Sequence, residues 1–294
     1  MRKGVIQKRK KPLRFFCLIF ACVALTGCAS AAGENVPAKQ KDQESVTVGS
    51  FTDNKNGTVS FSYNNVNKER YKVVTQKEGG KKYQYDIPSG QCDLVFPLSQ
   101  GNGSYSLYLC KNITGNKYSI VESMNVTVDV DDELSVFLVS NYIIDWNTEN
   151  EAIKKAYELT TGMTSQEEKI KAIYEYMVQN FSYDYNKMET INDGSSKEAY
   201  VPDVDETYNT KLGICYDLSS LAAAMLRSVD VPAKVVTGYS ANTISYHAWN
   251  KIYFLSKKDW QTVDLTYDVQ MFKDGKNYYM IKRDEYYSNI MYEY

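Results

Sequence analysis

The sequence predicts an α+β protein in which a small β-sandwich-like domain (46–132) precedes a mixed helix-and-strand domain (140–294). Three observations carry this reading. Short alternating apolar runs, punctuated by turn residues, fill the first region. From about residue 140 the apolar spacing changes to a helical period. A buried helical stretch after Lys211 then leads into two short strands, one beginning at His247 and the other ending at Asp264. Hydrophobic residues make up 43% of the chain and charged ones 24%, enough apolar content for a packed core and too much for wholesale disorder.

The chain opens with a basic segment, Arg2, Lys3, Lys8, Arg9, Lys10, Lys11 and Arg14, followed by an apolar run from Phe15 to Leu25. Eleven residues are too few to span a bilayer, which takes about 20. A basic head, a short apolar middle and small residues at the end describe an export signal over 1–27. It closes on Leu25-Thr26-Gly27-Cys28, which resembles a bacterial lipobox; the resemblance implies cleavage before Cys28 and acylation of that cysteine. Two acyl chains anchor stably, because each buried CH2 contributes roughly 0.8 kcal/mol. Residues 28–45 are small and polar without periodicity and read as a tether. The expected location is the extracytoplasmic side of a membrane.

Within 46–132, strands are expected at Thr58–Tyr63, Tyr71–Thr75, Cys92–Phe96, Ser104–Leu109 and Met124–Val130. Asn56-Gly57, Gly79-Gly80 and Gly101-Asn102-Gly103 supply the turns. Strands at this spacing suggest a small sandwich. Cys92 and Cys110 lie nine residues either side of Gly101. In a hairpin centred there they face each other, so a disulfide is one expectation and two separate buried thiols the other. Cys17 and Cys22 leave with the signal, which makes Cys215 the cysteine with no obvious partner.

Glu149–Thr161 is expected to be helical, with Ile153, Ala156, Tyr157 and Leu159 on its apolar side and Gly162 as its stop. Thr164-Ser-Gln-Glu167 resembles a capping box for a second helix carrying Ile170, Ile173, Tyr174, Met177 and Phe181 on its core face. Residues 183–206 are polar and acidic and read as a surface loop.

The stretch from Lys211 to Ser228 carries the chemistry. Leu218, Leu221, Ala222, Met225 and Leu226 form a buried helical face, and Cys215 sits in the first turn. Helix N-termini present unpaired N–H groups and partial positive charge, which favour a thiolate and can hold an oxyanion. Ala233–Tyr239, His247–Tyr253 and Trp260–Val263 read as strands, the last leading to Asp264. A thiol nucleophile needs a base, and the base an orienting group. Cys215, His247 and Asp264 supply the three types, and His247 is the chain's one histidine. Asp268 competes with Asp264 for the third role; Asp264 is preferred because it directly follows the strand.

Gly213-Ile-Cys-Tyr-Asp-Leu-Ser-Ser-Leu-Ala-Ala-Ala-Met-Leu-Arg-Ser228, Val-Pro-Ala-Lys-Val-Val-Thr-Gly-Tyr239, His247-Ala-Trp-Asn250 and Trp260-Gln-Thr-Val-Asp264 together resemble the bacterial transglutaminase-like domain over roughly 150–270. The resemblance implies a papain-like α+β core, with a Cys-bearing helix packed on an antiparallel sheet. It implies Cys215 as nucleophile, His247 as base and Asp264 as orienting acid. Tyr208 and Asn209, just upstream of Cys215, are candidate oxyanion donors. The expected activity is acyl transfer through a thioester at peptide, isopeptide or glutamine amide bonds, with hydrolysis favoured. Amine cross-linking, or a non-catalytic peptide-binding lipoprotein, are the alternatives. The expected partners are a protein or peptide substrate at the cell envelope and the membrane through the lipid.

Other classes find no support. Beyond residue 27 the chain holds 27 basic and 36 acidic residues, a net charge of −9, with no basic stripe for nucleic acid. One histidine and scattered cysteines give no zinc spacing, the acidic loop lacks EF-hand spacing, and no nucleotide fingerprint is present, so neither metal nor cofactor is expected. The sequence carries no signal for oligomeric state.

Overall fold

Alternation of large apolar and polar residues drives the first half of the chain into seven antiparallel strands. The computed structural model describes residues 49–65, 68–192, 200–243 and 246–294. The expected signal, the Cys28 acylation site, Cys17, Cys22 and the tether lie outside the described residues. The strands are β1 (Gly49–Asp53), β2 (Thr58–Asn65), β3 (Tyr71–Lys77), β4 (Lys82–Ile87), β5 (Gly90–Pro97), β6 (Gly103–Thr114) and β7 (Lys117–Val128). They form two sheets, ordered β1-β2-β5 and β4-β3-β6-β7. Val59, Phe61 and Tyr63 on β2, and Tyr105, Leu107 and Leu109 on β6, point inward at every second position, as a half-buried strand requires.

This topology removes the proposed disulfide. Cys92 on β5 pairs with Tyr63, and Cys110 on β6 pairs with Lys72 in the other sheet, so the hairpin around Gly101 does not form. Cys92 packs against the core, whereas Cys110 is out of phase with the buried Leu107 and Leu109; no disulfide joins them.

The second half contains α1 (Glu151–Thr160), α2 (Gln166–Asn180), a short parallel pair β8 (Ser182–Tyr183) and β9 (Leu212–Gly213), α3 (Tyr185–Asn192), α4 (Val204–Thr210), α5 (Cys215–Arg227) and α6 (Leu265–Lys273). Strands β10 (Ala233–Ser240), β11 (Tyr246–Phe254), β12 (Asp259–Val263) and β13 (Tyr287–Glu293) form an antiparallel sheet ordered β12-β11-β10-β13. Ser165, not Thr164, caps α2, accepting the Glu168 N–H at 3.4 Å. The loop expected at 183–206 contains α3 and the start of α4. Its acids act as helix starts: Asp184 accepts from Lys187 N–H at 2.9 Å and Asp203 from Glu206 N–H at 2.8 Å.

Helix α5 is buried on nearly all sides, with Leu218 through Leu226 at most 2% exposed. It packs on β10 and β11 and is surrounded by α1, α2, α4 and α6. Its Ala222-Ala223-Ala224 run keeps the helix slim enough for that enclosure. One apolar core runs through both halves, from Phe61, Tyr85 and Phe96 to Ile153, Leu221, Val235 and Tyr294. Among the described residues no helix is long and apolar enough to cross a membrane.

Candidate active site

Cys215 is the first residue of α5 and is partly exposed. Ile214 caps the helix but offers no side-chain acceptor, so the N–H groups of the first turn keep their free valence toward the site. Asp217 supplies the other half of the cap, accepting the Ile214 N–H at 2.9 Å. That carboxylate is buried, and burial raises its pKa against the pull of Tyr200 and Lys187. Tyr200 Oη donates to Oδ1, and Lys187 Nζ lies 3.4 Å from Oδ2. Gly213 is required here: a Cβ would stand 2.8 Å from the Asp217 Cβ.

His247 lies on β11 opposite Gly238 of β10 and is 4% exposed. Gly238 is needed for a close approach, since a Cβ would stand 2.8 Å from the Ser288 carbonyl oxygen and 3.0 Å from the Trp249 ring. Trp249 stacks beside the imidazole with centroids 6.1 Å apart. Asn250 ties the strand to α5, donating through Nδ2 to the Ser219 carbonyl at 2.9 Å and the Lys234 carbonyl at 3.0 Å.

Asp264 is fully buried at the junction of β12 and α6. Its Oδ1 caps α6 by accepting the Tyr267 N–H at 3.0 Å, while Oδ2 lies 2.9 Å from His247 Nε2. With Nε2 engaged by Asp264, Nδ1 is the nitrogen left to face Cys215, the second neighbour that favours the imidazolium. Burial disfavours the imidazolium, but Asp264 and Cys215 outweigh it and raise His247 from 6.5 to about 10. Burial likewise opposes ionisation of Asp264, yet His247 and its hydrogen-bond donors hold it below the ordinary 3.8. The cluster is therefore built to hold an imidazolium against a carboxylate.

The structure brings Cys215, His247 and Asp264 together. Asp268 belongs to a separate buried group: Tyr174 Oη donates to its Oδ2 at 2.8 Å and Lys282 Nζ to its Oδ1. Burial raises Asp268 to about 6 despite both donors. The two suggested oxyanion donors, Tyr208 and Asn209, lie on α4. The Tyr208 ring lies under Lys211 Nζ at 3.3 Å and beside Phe181, with Tyr176 as its hydroxyl partner, and Asn209 is exposed on α4. That helix packs beside α5. Sequence reasoning missed Tyr287, whose hydroxyl donates to Asp264 Oδ2 at 3.0 Å from the edge strand β13. Nothing in the Tyr-rich tail distinguishes it from its neighbours. Among the described residues no group of three or more His, Cys, Asp or Glu side chains could hold a metal.

Residues 153–265 match the family described as the Transglutaminase-like superfamily. The uncharacterized protein YebA of Bacillus subtilis (strain 168) is 24% identical over 197 residues, 60% of this chain and 26% of that protein; the chain thus spans about a quarter of its relative's length. Among solved structures, a proposed cysteine protease from Cytophaga hutchinsonii aligns over 71% of this chain and 72% of its own, at 16% identity and a TM-score of 0.38. Red sea bream transglutaminase aligns over 72% of this chain and 48% of its own, at 14% identity and a TM-score of 0.31.

Proposed function

We propose that this chain, which carries a transglutaminase-like domain at residues 153–265, is a lipid-anchored, extracytoplasmic acyl-transfer enzyme with Cys215 as nucleophile, His247 as acid and base, and Asp264 as the group that orients His247. One observation carries the reading: the chain's single histidine is held between a buried carboxylate at 2.9 Å and the thiol at the start of α5. A structural histidine has no need of both neighbours.

In this mechanism the Cys215 thiolate attacks an amide carbonyl, forming a C–S bond and an oxyanion held by the first-turn amides of α5. The imidazolium gives its proton to the departing amine as the C–N bond breaks, leaving a thioester and neutral His247. Water, deprotonated by His247, then attacks the thioester and releases the carboxylic acid and the thiol. Partial exposure of Cys215 gives water a route to the thioester; an amine entering by the same opening would give transfer instead.

The test is alkylation by iodoacetamide across pH, read by intact mass for wild type, Cys215→Ala and His247→Ala. Labelling assigned to Cys215 is expected to persist below about pH 7 and to slow in His247→Ala. Labelling that appears only near the ordinary thiol value of about 8.5, and is indifferent to His247, would remove the enzyme reading and favour a peptide-binding lipoprotein.

A further inference from the structure

The β6–β7 hairpin is longer than the sheet it belongs to. β3 pairs with β6 only as far as Tyr71–Lys111, and the hairpin continues past that level to a turn at Gly115 and Asn116. Asn112 pins this tip, donating through Nδ2 to the Gly115 carbonyl at 2.8 Å. The tip carries exposed apolar side chains where a soluble hairpin would carry polar ones: Ile113 is 66% exposed, Ile120 52% and Val121 46%.

Two irregularities in the ladder produce this exposure. Leu109 pairs with Glu122 and Cys110 with Ile120, so Val121 is the extra residue on β7. Asn112 pairs with Tyr118 and Thr114 with Lys117, so Ile113 is the extra residue on β6. Bulges re-aim side chains, and both of these fall on apolar residues. The surroundings are basic in a chain that is otherwise acidic. Lys68, Arg70, Lys72, Lys111 and Lys117 border this end of the sheet against the acids Glu69, Asp86 and Glu122, and Lys111 and Lys72 already neutralise Glu69 at 2.7 Å and Asp86 at 3.3 Å.

The start of the described chain lies at the same end. Gly49 pairs with Tyr63, the Tyr63 ring packs edge-on against Tyr71 at 5.9 Å, and Tyr71 pairs with Lys111 at the base of the tip. Twenty residues separate Cys28 from Gly49 in the sequence. A lipid on Cys28 would therefore tether the chain from the end of the sandwich that carries the hairpin tip.

We propose that the β6–β7 tip is a membrane foot, in which Ile113, Ile120 and Val121 enter the headgroup region of an anionic bilayer while Lys68, Arg70 and Lys117 meet its phosphates. This rests on the lipid-anchor reading and deepens it: apolar insertion and basic charge supply a second attachment that fixes the orientation of the protein on the membrane, not only its distance from it.

The test places tryptophan at Ile113, at Ile120 and, as a control, at Thr127, an exposed β7 residue near the opposite end of the strand. The full chain is reconstituted with vesicles of phosphatidylcholine and phosphatidylglycerol, and its fluorescence is compared with wild type in the presence of brominated phosphatidylcholine. Ile113→Trp and Ile120→Trp are expected to shift to the blue and to be quenched at least about twofold more than Thr127→Trp. Adding Val121→Asp to Ile120→Trp should reverse both effects, and vesicles of phosphatidylcholine alone should weaken them. A vesicle-bound chain with equal quenching at all three positions would overturn the foot and leave the anchor standing. A chain that does not sediment with vesicles would overturn both. A blue shift that depends on protein concentration and not on lipid would assign the surface to a second copy of the chain and overturn the proposal.

Discussion

At His247 the two neighbours decide the charge. The imidazole is buried, which alone would lower its pKa, yet Asp264 and Cys215 raise it from 6.5 to about 10. A raised folded value means that the contribution to stability is complete below the unfolded pKa near 6.5 and is lost as pH rises through about 10. Asp264 behaves in the opposite sense: its lowered value contributes above 3.8 and is lost as pH falls through its folded pKa. The pair therefore stabilises most between about pH 4 and 6.5 and fades toward 10. Urea midpoints of wild type and His247→Gln should differ most near pH 5 and converge near pH 10; a difference independent of pH would mean that the imidazole is not held as a cation. The three residues were legible because their chemistry limits the choices: there is one histidine, and one cysteine stands at a helix start. Tyr287 was not legible, since 26 tyrosines leave no basis for selecting the one that folds back to Asp264.

Asp264 also shows how an element and a site share one side chain. The sequence reads it as the end of a strand, but the chain turns there into α6, and Oδ1 is spent on the Tyr267 N–H. The helix was missed because Thr266-Tyr-Asp-Val269 looks like more strand by composition. Asp264→Asn keeps a cap but replaces the carboxylate facing His247; Asp264→Ala removes both. Both variants should lose roughly 10³-fold or more in Cys215-dependent turnover, since each deprives the imidazole of its orienting charge. Asp264→Ala should unfold at lower denaturant by about 1 kcal/mol more than Asp264→Asn, the worth of a helix cap. Equal stability of the two would mean that α6 does not depend on this cap. The sandwich strands follow the same logic. β2, β3, β5, β6 and β7 announce themselves by alternation of Val, Phe and Leu, whereas β4 alternates Tyr83, Tyr85 and Ile87 with polar residues and hides its inward face behind hydroxyls.

At the scale of the whole molecule, the question is whether the two halves fold together. Their shared apolar core and the Tyr83–Tyr292 and Tyr85–Tyr294 ring contacts argue that they do, because the C-terminal strand β13 is wedged against both. Arg227 concentrates this dependence in one side chain. It is 2% exposed and donates to the Val139 carbonyl in the segment after the sandwich, to Ala233 at the start of β10, and to Tyr294 just beyond β13, at 2.7, 2.9 and 3.0 Å. Arg227→Met keeps much of the volume and leaves two buried carbonyls and one half-buried one without that donor, a loss of about 3 kcal/mol or more. Trp146, Trp249 and Trp260 all report on the second half, while far-ultraviolet circular dichroism reports on both. If the core is one cooperative unit, the two signals should coincide in wild type and move together to lower denaturant in Arg227→Met. A variant in which tryptophan fluorescence is lost first, leaving a second transition carried by strand signal alone, would show that the sandwich stands without its neighbour and that the continuous core couples the halves in contact but not in energy.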